Sequence, residues 1–407
     1  MLKIRKLVIG ISGGVDSAVT SLFLKNKGYN VEGVFMQNWD IRDETGVCKS
    51  DEDYKDASVI CEKLGIPLLR VNFVKQYWNE VFCDLLKEYE TGHTPNPDVL
   101  CNRYVKFDAF YHYAREDLNA DAIATGHYAR TNFGPYLEYY KPNEDVHLLK
   151  AMDERKDQTL FLCQVKQKAL RKTMFPLGNY MKTEVKKIAM DNGLEEIAKK
   201  KESMGICFIG TRDFPNFISE YVNNKPGNFI DIESGVTVGT HKGIHQWTLG
   251  QRSNIEGQPI AYFTVQKDVK TNNIYVARGT HHPSLFTDLL YTAHPHWIHS
   301  RPPELENGDL LECDFKFQHV EEFIGCQVYE SNKGLIVLLE KTRRAITPGQ
   351  FAVFYKGEEC LGSAKIIQGG PSLFTLNCGR NVSNAWRYKE KLFNNFINNN
   401  ERRICTM

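Results

Sequence analysis

The sequence predicts an α/β protein whose first half is a parallel-sheet domain and whose second half is antiparallel, a small barrel or a sandwich. Three observations carry this. An apolar run, Leu7 to Ile11, passes into Ser12-Gly13-Gly14-Val15-Asp16-Ser17 and then into a run with Ala18, Val19, Leu22 and Phe23 on one helical face. Strand-like and helix-like segments then alternate as parallel βαβ units do. From about Gly210 the pattern changes to short strands separated by Gly and Asn turns, as in small antiparallel architectures.

Taken in order, the first strand, glycine turn and helix aim backbone N–H groups and a helix N-terminus at an anion. Adjacent glycines let the backbone approach a phosphate, and Ser12 and Ser17 offer hydroxyls. From glycines and serines alone, an ordinary βα turn with a serine cap reads the same way. The loop lacks the Gly-Lys-Ser/Thr ending of a Walker A motif, which argues against γ-phosphoryl transfer of the kinase or GTPase kind. Gly28 closes the helix, and a strand follows through Val31 to Met36. Next come a helix over Asp53 to Leu64, a strand over Pro67 to Val74, and a helix around Trp78 to Tyr89. Asp121 to Thr125 reads as a short buried strand ending in Gly126-His127-Tyr128. In an open α/β sheet, ligands lie beyond the carboxyl ends of the strands. Ser12 to Ser17, the stretch after Met36, and Gly126-His127 all fall at such ends, so a nucleotide site is expected there. In the second half, strands are expected at Ile260 to Val265, Ile274 to Ala277, Leu310 to Phe317, Cys326 to Tyr329, Leu335 to Leu339 and Phe351 to Tyr355, with a turn at Asn272-Asn273. The Asn-rich stretch after about Gly379 is expected to fray.

Composition narrows the function classes. A chain of 407 residues exceeds one ordinary core, so two or three domains are expected. A hydrophobic fraction of 42% with 12% aromatics is that of a soluble globular protein. No stretch approaches the roughly 20 apolar residues of a membrane span, so no membrane partner is expected. Met1 to Lys6 run almost straight into the first strand and leave no room for a signal or transit peptide. Eleven scattered cysteines with no C-x-x-C and no zinc spacing point to free thiols, and no metal site is expected. A net charge of +1 confines any nucleic-acid binding to local patches. One candidate is Lys166 to Lys201, with ten basic residues against four acidic, though a solvated helix face reads equally well.

Two cysteines stand apart. Cys101 lies in Asn96-Pro97-Asp98-Val99-Leu100-Cys101-Asn102-Arg103, near a helix start and an arginine, a setting that can hold a thiolate. Cys207 lies in Met204-Gly205-Ile206-Cys207-Phe208-Ile209-Gly210, flanked by glycines. Either, taken alone, also reads as a buried inert thiol. Cys61, Cys83 and Cys163 sit in helix-like apolar patterns and read as core, while His127 and Asp157 carry no strong signal unaided.

The motifs together resemble the tRNA-specific 2-thiouridylases, members of the ATP-pyrophosphatase (PP-loop) superfamily. The resemblance runs from Leu7 to about Ile367 and rests on six segments: 10–17, 94–102, 124–130, 156–162, 203–209 and 347–353. The first alone gives only the superfamily; the two cysteine segments narrow it. Asn38-Trp39-Asp40 with Gly46-Val47-Cys48 looks like the mitochondrial branch, which implies a mitochondrial location. The implied fold is an adenine-nucleotide alpha-hydrolase-like (PP-loop) catalytic domain over 1–208, a central linker domain over 209–280, a C-terminal antiparallel β-barrel that docks tRNA over 281–380, and a polar tail over 381–407.

The implied reaction is 2-thiolation of wobble uridine 34 in Lys-, Glu- and Gln-type tRNAs. ATP would lie along Gly10, Ile11, Ser12, Gly13, Gly14, Val15, Asp16 and Ser17, with Met36 and Gly126 near the nucleoside. Transfer of AMP to the C2 oxygen makes a leaving group and releases pyrophosphate, whose charge Mg²⁺ neutralises. Cys207 would carry sulfur as a persulfide, supplied by a cysteine desulfurase relay. Cys101 would then attack, leaving sulfur on the base and a Cys101–Cys207 disulfide for a reductant to reopen. Asp98 is the implied general acid/base, with Asn96 and Pro97 at the flipped base. Lys156, Asp157 and Gln158, and Lys316 and Phe317 in the barrel, match segments that contact tRNA. Three other classes compete with it, a PP-loop enzyme that adenylates a small molecule, a bare tRNA-binding protein, and a thiol-dependent tRNA hydrolase or redox module; the thiouridylase reading outweighs them because all its expected groups are present together.

Overall fold

The computed structural model describes residues 4–40, 49–200 and 214–376. Strands β1 (Lys6–Gly10), β2 (Asn30–Gln37), β3 (Leu68–Asn72) and β4 (Ala122–Ala124) are followed by the short β5 (Arg130–Thr131) and β6 (Leu148–Leu149), then β7 (Thr173–Met174). All but β5 and β6 form one parallel sheet in the order β3-β2-β1-β4-β7. Its middle is apolar without alternation, Leu7-Val8-Ile9 beside Ala122-Ile123-Ala124, because helices cover both faces. Helix α1 (Val15–Asn26) buries Ala18, Val19 and Leu22 as its period predicts, and Gly28 ends the segment at φ +81°. Helix α2 (Lys49–Leu64) puts Ala57, Ile60, Cys61 and Leu64 inward. The runs Val74–Glu90 and Pro97–Asp117 are helical with wide π-type turns at Trp78–Phe82, Cys101–Ala109 and Tyr113–Asp117. Such turns often accompany functional sites.

The central unit is a four-stranded sheet of β8 (Gly227–Asp231), β9 (Thr237–His241), β10 (Tyr262–Asp268) and β11 (Asn273–Arg278), in the order β10-β11-β8-β9. Asn272, at φ +54°, makes the expected turn between β10 and β11.

Of the two antiparallel possibilities, the barrel is the one formed. Strands β12 (Phe286–Thr292), β14 (Leu311–Lys316), β15 (Ile324–Ser331), β16 (Gly334–Arg344), β17 (Phe351–Lys356) and β18 (Glu359–Gly369) run in the order β12-β16-β15-β14-β17-β18, and β18 pairs back to β12 through Leu290↔Gly369. Closure removes the exposed edges. Leu311, Phe315, Phe317, Val337, Phe354 and Ile366 fill the interior. The outer side chains Phe351, Val353, Tyr355 and Cys360 instead join the core of the first domain. β6 also pairs with β18 (Leu148↔Cys360), and the short β13 (His296–Trp297) adds to the same strand. The barrel is therefore seated on the first domain by a shared sheet and a shared core.

Candidate active site

The residues expected to hold a nucleotide meet at the carboxyl edge of the parallel sheet. Gly13 adopts φ +80°, and a Cβ there would stand 2.6 Å from the Asp53 carbonyl oxygen, so glycine is required on both counts. Ser17 Oγ donates to the Gly14 carbonyl at 3.0 Å and accepts from the Ser12 N–H at 3.2 Å, closing the loop on itself. Gly126, just past β4, lies so close to α1 that a Cβ would come within 2.8 Å of the Ser17 nitrogen. Met36, at the end of β2, sends its methyl toward Gly10, where a Cβ would stand 3.1 Å away. These four elements form one cradle.

A cation sits at this cradle. Lys182 Nζ donates to both carboxylate oxygens of Asp16, at 2.6 and 2.7 Å, and Tyr128 Oη donates to Asp16 at 2.9 Å. Lys182 is buried, 8% exposed, and its own N–H donates to Asp153 at 2.9 Å. In the sequence Lys182 merges into the basic stretch; in the structure it leaves that surface and points at the loop. An ammonium beside backbone N–H donors and a helix N-terminus is suited to polyphosphate.

The helix that Cys101 begins reaches the cradle farther along. Asn96 caps a short helix by accepting from Val99 N–H at 3.4 Å, and Pro97 takes the first helical position. Asp98 and Cys101 fall one turn apart, on one face. Cys101 is 4% exposed and starts the wide-turned helix. Farther along that helix, Phe110 packs under Gly10 and Phe107 lies 5.6 Å from the His127 ring. Burial pushes the Asp98 carboxyl up from its ordinary value, against the opposing charge of Lys106. Burial, with Lys106 second, holds His127 well below its ordinary value, so the ring is neutral, with Nδ1 2.8 Å from Thr125 Oγ1.

The barrel holds this segment from the other side. Gln350 Nε2 donates to the carbonyls of Thr94 at 2.8 Å and Pro95 at 3.1 Å, while Asn96 Nδ2 donates to Gln350 Oε1 at 3.3 Å. Thr94 N–H donates to the Pro348 carbonyl at 2.9 Å. Gly349, at φ +93°, lets the two chains approach: a Cβ there would lie 2.9 Å from the Thr94 carbonyl oxygen.

Segment 156–158 links the regions. Gln158 Oε1 accepts from Tyr128 N–H at 2.9 Å. Asp157 is buried, accepts from Ala151 N–H at 2.9 Å and from Thr159 Oγ1 at 2.6 Å, and its carbonyl accepts from His319 Nε2 of the barrel at 2.9 Å. Asp157 is thus a structural acceptor by its side chain, while Lys156 is half-exposed beside it. Two placements differ from expectation. Phe317 is 1% exposed, stacked on Phe315 inside the barrel, and Lys316 is 6% exposed with its ammonium over the Phe323 ring at 4.6 Å. Neither side chain is presented to a partner in this conformation. Cys83, read as core, is half-buried. Cys207 and Gly46-Val47-Cys48 lie outside the described residues. Among the described residues no cluster of three His, Cys, Asp or Glu is placed to hold a metal, and no helix is long and apolar enough to cross a membrane.

Three family profiles match the chain in succession: a tRNA methyl transferase HUP domain over residues 5–211, a tRNA methyl transferase PRC-barrel domain over 215–278, and an aminomethyltransferase β-barrel domain over 287–366. The chain is 50% identical over 402 residues to the mitochondrial tRNA-specific 2-thiouridylase 1 of Gallus gallus, covering 93% of this chain and 95% of that protein. It is 48% identical over 397 residues to the Homo sapiens protein of the same name, covering 93% and 94%. To a tRNA-specific 2-thiouridylase of Lactococcus lactis it is 45% identical over 368 residues, covering 89% and 94%.

Proposed function

The chain belongs to the tRNA-specific 2-thiouridylase family, an ATP-dependent tRNA sulfurtransferase family, and from that premise we propose how its residues divide the reaction. The observation that carries the proposal is the packing of the Cys101 helix directly beneath the nucleotide loop, Phe110 against Gly10. It supports a reading in which adenylation and thiol chemistry share one helix and one sheet edge.

ATP lies with its phosphates over Ser12 to Ser17, its nucleoside toward Met36 and Gly126. Lys182 stands ready to exchange part of its contact with Asp16 for phosphate oxygens. Asp16, the loop's only carboxylate, would hold Mg²⁺ together with the ATP phosphates, since one carboxylate plus phosphates is an ordinary Mg²⁺ set, and the ion would neutralise the departing pyrophosphate. The C2 oxygen of wobble uridine takes the AMP group, which turns a poor leaving group into a good one. Asn96 and Pro97 border the flipped base. Asp98, held toward its protonated form by burial, exchanges a proton with the base as charge moves through it.

Sulfur arrives on Cys207 as a persulfide, delivered by a cysteine desulfurase relay. The terminal sulfur bonds to C2. Cys101 thiolate attacks the Cys207 sulfur; the S–S bond to the sulfur being transferred breaks and its electron pair stays with that sulfur. AMP leaves, and Cys101 and Cys207 end as a disulfide that a reductant must reopen. Cys101 is 4% exposed, so seating of tRNA must uncover it. Lys156 and the half of the barrel around 316–323 receive the tRNA body, with Lys-, Glu- and Gln-type tRNAs as substrates and the mitochondrion as the compartment.

The test is nucleoside mass spectrometry of these tRNAs after incubation with the protein, ATP, Mg²⁺ and sulfide, alongside Cys101→Ala. Thiolated wobble uridine from the wild type and not from the variant is the expected result. Release of AMP and pyrophosphate without any thiouridine would overturn the reading in favour of a different adenylating enzyme.

A further inference from the structure

The sulfur-transfer proposal uses Cys101 and Cys207, yet the closest thiol pair among those described lies elsewhere. Cys313 on β14 and Cys326 on β15 are direct cross-strand partners in an antiparallel ladder, and their sulfurs are 3.6 Å apart, in van der Waals contact. We propose that Cys313 and Cys326 are a redox-active dithiol, a modification site in the barrel wall that low-molecular-weight disulfides convert to a cross-strand disulfide.

Geometry supports bond formation. Facing residues on antiparallel strands have Cα atoms about 4.5–5.5 Å apart, inside the range disulfides span. Reaching a bond of about 2.05 Å moves the sulfurs by ~1.6 Å, within what side-chain rotation provides. Access is present too. Cys313 is half-buried, and both cysteines line an open depression of about 360 Å³ with Asp314, Glu340 and Lys356. By contrast, Cys163 and Cys360 lie in the buried joint between nucleotide domain and barrel, where burial pushes both thiols up.

The order of attack follows from the surroundings. The hydrogen bond with Cys313, then burial, then the charges of Cys313, Asp314 and Glu340, hold Cys326 well above the ordinary thiol value. Cys313, reached from the depression, is therefore the attacking thiol and Cys326 the resolving one. Cys313 thiolate attacks one sulfur of oxidised glutathione and expels one glutathione thiolate. Cys326, losing its proton to water, attacks Cys313 Sγ of the mixed disulfide and expels the second. Two electrons pass from the protein to glutathione, and the protons given up by the two protein thiols end on the two expelled glutathione thiolates. The bond would tie together the hairpin whose tip seats His319 on Asp157, so oxidation stiffens the barrel's hold on the nucleotide domain.

The test uses the full-length reduced protein incubated with oxidised glutathione, quenched with N-ethylmaleimide, digested and read by mass spectrometry. A cross-linked 313–326 peptide pair, 2 Da lighter than its two thiol peptides together, is expected in the wild type. It should be absent in Cys313→Ser and in Cys326→Ala. The wild type should also melt several degrees higher after oxidation, a shift that Cys313→Ser lacks. Recovery of Cys313 and Cys326 separately alkylated, each carrying its own glutathione, or bonded to other cysteines, would overturn the proposal.

Discussion

The Ser12–Ser17 loop and the Cys101 segment are held in different ways. The first closes on itself: within Ser12 to Ser17 the hydroxyls and N–H groups satisfy one another over spans of two to five residues. The second is held from outside, by Gln350 of the barrel acting across 254 to 256 residues of sequence. An anion cradle needs little more than backbone, so a short sequence can encode it. In the proposed reaction a thiol that meets a base on tRNA needs its loop set by the barrel.

That contrast can be broken most sharply by removing the thiol. Cys101→Ala should abolish thiouridine formation, by roughly three orders of magnitude or more, as loss of a covalent participant does. ATP–pyrophosphate exchange driven by tRNA should stay within a few-fold of wild type. If exchange collapsed as well, the two loops would be one functional unit and the contrast would fail.

Next in size is Lys182→Met. It removes the cation that holds Asp16 and, by proposal, meets the phosphates. Losing one such charge-assisted contact in a site of this kind typically costs about 10²-fold in rate. The loss should fall on AMP formation and thiolation alike. Thermal melts provide the control: Asp16 is a third exposed, so stability should fall only modestly. Thiolation lost with adenylation intact would place Lys182 on the sulfur side instead.

Gln350→Ala probes the clasp. It strips two carbonyl contacts and the Asn96 bond, each worth on the order of 1 kcal/mol; with about 1–2 kcal/mol of that sum felt at the positioned loop, about a five- to thirty-fold fall in thiolation is expected. Exchange measured with saturating tRNA should hardly change. Equal falls in both rates would mean that the barrel positions tRNA alone and not the loop.

The same contrast accounts for what the sequence disclosed. Gly13 and Gly126 were legible because glycine is demanded by local backbone and by close approach to α1. The first-half strands and helices followed from unbroken apolar runs and helical periodicity. Lys182 was not legible, since its partner Asp16 is 166 residues away and its neighbours are other lysines. Gln350 stood inside a motif, but nothing in that motif says it faces Thr94. The burial of Phe317 was readable: Leu311, Cys313, Phe315 and Phe317 alternate with period two, which sends Phe317 to the barrel interior. Lys316, on the other face, is covered because that face meets the first domain, a fact of docking and not of pattern. The choice of barrel over sandwich likewise depended on β18 returning to β12.

The smallest expected effect concerns Asp98 and works through pH. Its carboxyl is raised above 3.8 by burial, so folding favours the protonated form. The stabilisation from that form is complete below the unfolded value and is lost as pH rises through the folded one, so at neutral pH the carboxyl costs the fold stability. Asp98→Asn should remove that penalty and raise the melting temperature at pH 7 by about 1–3 °C, while thiolation falls. The gain should shrink as pH is lowered through the ordinary carboxylate range and vanish below it, where both side chains are neutral. A melting temperature unchanged or lowered at pH 7 would mean that the Asp98 carboxylate is satisfied in place, as the nucleotide loop's Asp16 is by Lys182. The proton-exchange role would then need a different group.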